Sequence, residues 1–123
     1  MTRSSFLAPL PLLTALLFSA RATSAQARDS AAPRDSAAAM AAIRDSLFQR
    51  ARRLVLAGDG AAGRAIVDSL VQASSGTPAE GEALYWRATL ASTAADAERD
   101  YRRVIVEHPF SARLGDALYA LAQ

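Results

Sequence analysis

The chain has 123 residues, 51% of them hydrophobic, no cysteine, and 14 basic against 12 acidic residues for a formal charge of +2. That length holds one small domain, and the missing cysteine excludes disulfides, thiolate metal sites and a diacylated lipoprotein. Every basic residue is Arg, Lys and Asn are absent, and Ala is the commonest residue, a composition that points to a G- and C-rich genome rather than to a class of partner.

Residues 6–20, FLAPLPLLTALLFSA, form an apolar run behind a short N-terminus with Arg3. This is the layout of a secretory signal peptide. A membrane span needs about 20 apolar residues, and Pro9 and Pro11 interrupt this shorter run. Ala25-Gln26-Ala27 places small residues where a signal peptidase inspects them, so cleavage is expected after Ala27, with Ala20-Arg21-Ala22 as the alternative. Loss of residues 1–27 removes Arg3 and Arg21 and leaves 12 Arg against 12 acids. A periplasmic or secreted protein with no membrane span after cleavage is the expectation.

Residues 28–39, RDSAAPRDSAAA, duplicate RDSAA and hold no large apolar side chain. With nothing to bury against its ordering entropy, this stretch is expected as a linker or a frayed helix start. From 40 to 123 a helical domain is expected. Met40, Ile43, Leu47, Ala51, Leu54 and Val55 recur at helical spacing up to the turn Gly58-Asp59-Gly60. A second helix, about 61–73, carries Ala62, Ile66, Leu70 and Ala73 on one face and stops in Ser74-Ser75-Gly76. Thr77-Pro78-Ala79-Glu80 reads as a capping box with Pro at the first helical position, starting a third helix that runs to about Ser92. The fourth, about 94–107, puts Ala97, Tyr101 and Val104 on one face and pairs Glu98 with Arg102 and Asp100 with Arg103 on the other. The fifth follows Ser111. No segment alternates with period two, so the fold class is all-α, with about five helices and no sheet.

The motif GEALY at 81–85 returns as GDALY at 115–119, an offset of 34 residues. Short helices, tight turns and this offset resemble the tetratricopeptide repeat, a helical hairpin stacked into an α-solenoid. On that pattern the repeat's Leu falls on Leu84, its small residue on Ala97, its aromatic on Tyr101 and its closing Pro on Pro109, while Gly81, Tyr85 and Ala88 depart from it. One repeat earlier, the Gly-Asp turn falls on Gly58-Asp59; one repeat later, Leu118 and Ala122 follow. Val104-Ile105 before Pro109 is similar to the repeats of bacterial cell-envelope proteins, among them the periplasmic coordinator of the Tol-Pal system and outer-membrane assembly lipoproteins. The resemblance covers residues 44–123. It implies a protein-protein interaction scaffold, or, as the alternative, an N-terminal fragment or oligomerisation part of a longer envelope protein, because the repeat array stops within a first helix.

Catalytic chemistry finds few residues. His108 is the only histidine, and its place at a helix C-terminus gives it a structural role favoured by the helix dipole. Gly58, Gly60 and Gly63 lack the Lys and preceding strand of a phosphate loop. No enzyme activity, metal or cofactor is expected. The Arg groups at 50, 52, 53 and at 99, 102, 103 are interleaved with acids, which argues against nucleic acid and an anionic membrane surface.

In the family the partner peptide lies in a groove lined by the first helix of each pair. The resemblance carries that groove onto Phe48, Arg52, Glu82, Trp86, Thr89, Arg113 and Asp116, facing a protein or peptide of the cell envelope. Trp86 is expected to lean into the groove as an anchor, with core packing as the other placement. Leu84, Tyr85, Tyr101 and Leu118 are assigned to the core. Leu114, Leu118 and Leu121 give the last helix an apolar side suited to self-association.

Overall fold

The computed structural model describes residues 22–123, with side chains from residue 33 onward. All but the last six residues of the expected signal peptide, 1–27, lie outside the described residues. The chain divides into two compact units, Met1–Ala37 and Ala38–Gln123.

Regular structure among the described residues is helical throughout: α1 (Ala22–Leu56), α2 (Gly60–Ser74), α3 (Glu80–Thr89), α4 (Ala94–Glu107) and α5 (Leu114–Leu121), with no strand. Residues 28–39, expected as a linker or frayed start, lie inside α1. Ala is the best helix former and gives the stretch intrinsic helicity. No described helix is long and apolar enough to cross a membrane.

The second unit packs around Phe48 and Ala51 of α1, Val67 and Leu70 of α2, Ala83 and Leu84 of α3, Val104 of α4 and Ala117 of α5. Met40 and Ile43, read as part of the α1 stripe, are about half exposed at 53% and 51%. On α2 the buried positions are Gly63, Val67, Leu70, Val71 and Ser74, so that Gly63, Val67 and Ser74 stand one residue round from the expected Ala62, Ile66 and Ala73. Gly63 is the reason. A Cβ there would stand 2.6 Å from the Ala51 carbonyl and 2.7 Å from Val55 Cγ2, so its bare backbone lets α1 and α2 touch. The turn before α2 uses Gly58 at φ +91°, and Asp59 caps the helix by accepting from the Ala62 N–H.

The α3 start differs from the expected box. Thr77 donates its hydroxyl to the Ser74 carbonyl, and Glu80 reaches back to the Gly76 N–H at 2.8 Å. Pro78 and Ala79 form a turn, and the helix opens at Glu80. Thr93 caps α4 through the Asp96 N–H.

α3 and α4 are antiparallel, since Glu80 at the start of α3 pairs with Arg103 near the end of α4, while Thr89 at its end meets Tyr101 and Arg87 meets Asp100. α2 and α4 begin at 60 and 94, α3 and α5 at 80 and 114, so both pairs are offset by 34 residues. Leu84 is fully buried against its neighbours, but its counterpart Leu118, assigned to the core, is 50% exposed. Among the described residues α5 packs on α4, and nothing covers its other side as α4 covers α3.

Candidate functional site

Three helices converge on one aromatic cluster. Phe48 of α1 stacks on Trp86 of α3 with ring centroids 5.4 Å apart and planes 15° from parallel. Tyr85 meets Trp86 edge-on at 6.1 Å, and Tyr101 of α4 tilts against Tyr85 at 5.8 Å. Over these rings lies Arg113, at the N-terminal boundary of α5. Its guanidinium carbon is 5.2 Å from the Tyr85 ring centre and 5.8 Å from that of Trp86, within cation-π reach. The same guanidinium donates to Glu82 and to Asp116, each at 3.2 Å. Burial opposes its charge, but the bonds to Asp116 and Glu82 outweigh it and raise the Arg113 pKa above the ordinary value.

The structure brings Phe48, Glu82, Trp86, Arg113 and Asp116 together, but not as an open groove. Phe48 is 1% exposed and Trp86 9%, so both belong to the core. Trp86 does not lean out as an anchor, because the Phe48 ring and the Arg113 guanidinium occupy the space around it. Its indole N–H is buried with no hydrogen-bond partner. What reaches solvent is a polar rim. Glu82 and Arg113 are half-buried and Asp116 is exposed. Thr89 is exposed too, donating its hydroxyl to the Tyr85 carbonyl and lying 3.3 Å from the Tyr101 hydroxyl. Arg52 is exposed on α1 and joins no hydrogen bond or ion pair among the described residues.

A second polar cluster escaped the sequence reading. Asp100, expected on the outer face beside Arg103, is 1% exposed and receives both Nε and Nη2 of Arg87, at 2.6 and 2.9 Å. Arg99 approaches Asp100 Oδ1, the oxygen that also accepts from Arg87 Nη2, at 3.5 Å, and Asp68 of α2 lies 3.6 Å from Arg87. Arg103 instead pairs with Glu107 and Glu80, while Glu98 and Arg102 pair as expected. The signal was present: Asp100 lies one helical turn before Val104 and three residues after Ala97, on the inward face. The hydrogen bond to Asp100 outweighs burial and raises the Arg87 pKa above the ordinary value.

Beside this pair is a cleft of about 200 Å³ lined by Arg64, Asp68, Arg87, Asp96, Arg99 and Asp100, three cations against three anions. Such balance suits an internal tie more than a charged ligand. His108 closes the end of α4, 3.9 Å from Glu80, with its Cβ against Gly81. No group of three or more His, Cys, Asp or Glu among the described residues is placed to hold a metal. In comparison with known proteins, the chain matches no family model, and no curated protein or solved structure is detectably similar.

Proposed function

We propose that this chain is an exported, non-catalytic helical-repeat scaffold of the tetratricopeptide type that presents the first helices of its hairpins to a protein or peptide partner in the bacterial cell envelope. The carrying observation is the 34-residue offset shared by the starts of α2 and α4 and of α3 and α5, which coincides with the GEALY and GDALY echo. Export rests on the apolar run 6–20 and the small residues at 25–27.

Because Phe48 and Trp86 are interior, the partner-facing surface consists of Arg52, Glu82, Thr89, Arg113 and Asp116. Those residues offer hydrogen bonds and charge of both signs, which suits extended polypeptide backbone and mixed-charge side chains. The aromatic cluster beneath holds the rim in place. A photo-crosslinking residue placed at Arg52 or Thr89 should capture an envelope protein in living cells, while the same residue at Arg102, on the exposed face of α4 beside Glu98, should not. Equal capture from both sides, or none from the rim, overturns the reading.

A further inference from the structure

Four groups converge on the Arg113 guanidinium, and each is one that selects a cation. The ring centres of Tyr85 and Trp86 lie 5.2 and 5.8 Å from its central carbon, and the negative faces of aromatic rings attract positive charge. Glu82 of α3 and Asp116 of α5 each accept from one of its Nη atoms. Without a cation the two carboxylates would be left unpaired beside the rings, so the site holds one in every state.

The guanidinium that fills it is loosely held. Its bonds to Glu82 and Asp116 are both 3.2 Å, at the long end of the N–H···O range, whereas Arg87, which ties α3 to α4, meets Asp100 at 2.6 and 2.9 Å. Asp100 is closed off from solvent, but the side chains of Glu82 and Asp116 are 39% and 51% exposed. Each of these two gives Arg113 a single oxygen, Oε1 of Glu82 and Oδ2 of Asp116, and the second oxygen of each has no hydrogen bond among the described residues. An incoming donor therefore finds open acceptors before Arg113 has left.

We propose that this is an exchangeable arginine site: Arg113 occupies it within the chain, and an Arg side chain of a bound polypeptide displaces Arg113 from Glu82, Asp116 and the Tyr85 ring. One guanidinium replaces another, so the electrostatics of the site are conserved and the remaining contacts of the polypeptide drive the exchange. The planar fork favours Arg over Lys, because it stacks on a ring while its N–H groups meet two separate carboxylates. An acidic side chain is repelled by those carboxylates and finds the Arg113 donors already engaged. The arginine site rests on the reading of this rim as the partner-facing surface, and adds the chemistry of the partner.

Trp86 is the one Trp of the chain, so its fluorescence reports on a cation seated beside it. N-acetyl-argininamide is titrated into the full chain and into Arg113→Ala, with circular dichroism to verify folding. Arg113→Ala should bind it about tenfold more tightly than the wild type, in which only the fraction with Arg113 swung out is competent. The lysine amide should bind more weakly, and the neutral citrulline amide should not bind. Adding Glu82→Gln and Asp116→Asn to Arg113→Ala should abolish binding. In the wild type, where folding is not at issue, the Arg113 Nε–H resonance should move as the arginine amide is added. Equal affinity in the wild type and a folded Arg113→Ala, citrulline amide bound as tightly as arginine amide, or an Arg113 Nε–H resonance that stays in place overturns the proposal. Crosslinking from Arg52 and Thr89 that persists beside any of those outcomes removes the arginine site alone and leaves the scaffold reading standing.

Discussion

Arg87 grips Asp100 with two parallel hydrogen bonds, 2.6 Å from Nε and 2.9 Å from Nη2, and so fastens α3 to α4 through a carboxylate that is 1% exposed. A buried anion is tolerated only with its partner in place. Removing one member of such a pair costs about 3–5 kcal/mol when both are buried, and Arg87, with its side chain 24% exposed, should fall toward about 2–3 kcal/mol. Arg99 remains near enough to compensate in part. Arg87→Ala is therefore expected to destabilise strongly in urea melts. The double variant Arg87→Met with Asp100→Leu removes both charges and should recover most of the loss, an outcome that a simple loss of packing would not give.

Stability should also fall in acid, in part through two exposed carboxylates of α4. The hydrogen bonds from Arg103 hold the Glu107 pKa below its ordinary 4.5, and the Thr93 hydroxyl holds Asp96 below 3.8. Carboxylates depressed in the folded state contribute fully above their unfolded values, and the contribution drains away as pH drops through the folded ones. Urea midpoints should accordingly be flat from pH 7 to about 5 and decline below 4.5. Glu107→Gln should lower the neutral-pH stability by a few tenths of a kcal/mol, as exposed helix pairs do. It should also make the acid decline shallower; an unchanged decline would place the proton uptake elsewhere.

The helices that the sequence disclosed best are those bounded by turn or capping chemistry with a single solution. Gly58-Asp59-Gly60 ends α1 and starts α2 because a positive φ is followed by a capping carboxylate. Thr93 starts α4 because its hydroxyl accepts from the Asp96 N–H while donating to the carboxylate of that same residue, so both of its bonds favour the cap. At Thr77 the same reasoning failed, since a Ser or Thr hydroxyl can donate as well as accept, and here the Ser74 carbonyl captured it. Residue type misled at Asp100 and Trp86 for one shared reason. A charged side chain in a helix is read as exposed and an aromatic at a groove position as available, yet Arg87 and Phe48 come from other helices and bury both. Pattern along one helix shows which face turns inward, and only the neighbouring helix decides how far.

Trp86 should behave as a core residue in mutation. Truncation of a buried Trp typically costs about 3–5 kcal/mol, and Trp86→Ala should reach that range, at least matching Tyr101→Ala, whose ring is only partly buried. Trp86→Phe keeps the stacked ring and removes an indole N–H that has no hydrogen-bond partner. It should cost less than about 1.5 kcal/mol, in the range of conservative core exchanges. A partner-binding defect in Trp86→Phe at unchanged stability would instead make the indole a contact residue.

The two glycines of the repeated motif provide the sharpest contrast. Gly81 and Gly115 open GEALY and GDALY and occupy equivalent places, 34 residues apart. A Cβ on Gly81 would stand 2.9 Å from both His108 Cβ and Ser111 Oγ, and 3.0 Å from Ser111 Cβ, where the chain leaves α4. A Cβ on Gly115 would meet nothing within 4 Å. Overpacking costs about 1–3 kcal/mol, whereas replacing Gly by Ala within a helix gains up to about 1 kcal/mol. Gly81→Ala should thus lose stability by about 1–2 kcal/mol net, and Gly115→Ala should gain about 0.5 kcal/mol, less than the full amount because α5 is short. Urea melts of both variants beside the wild type make the comparison. If Gly81→Ala is neutral, the His108–Ser111 turn yields easily and does not clamp α3. If Gly115→Ala is destabilising, the start of α5 has no room for the added methyl, and the contrast between the two motifs is lost.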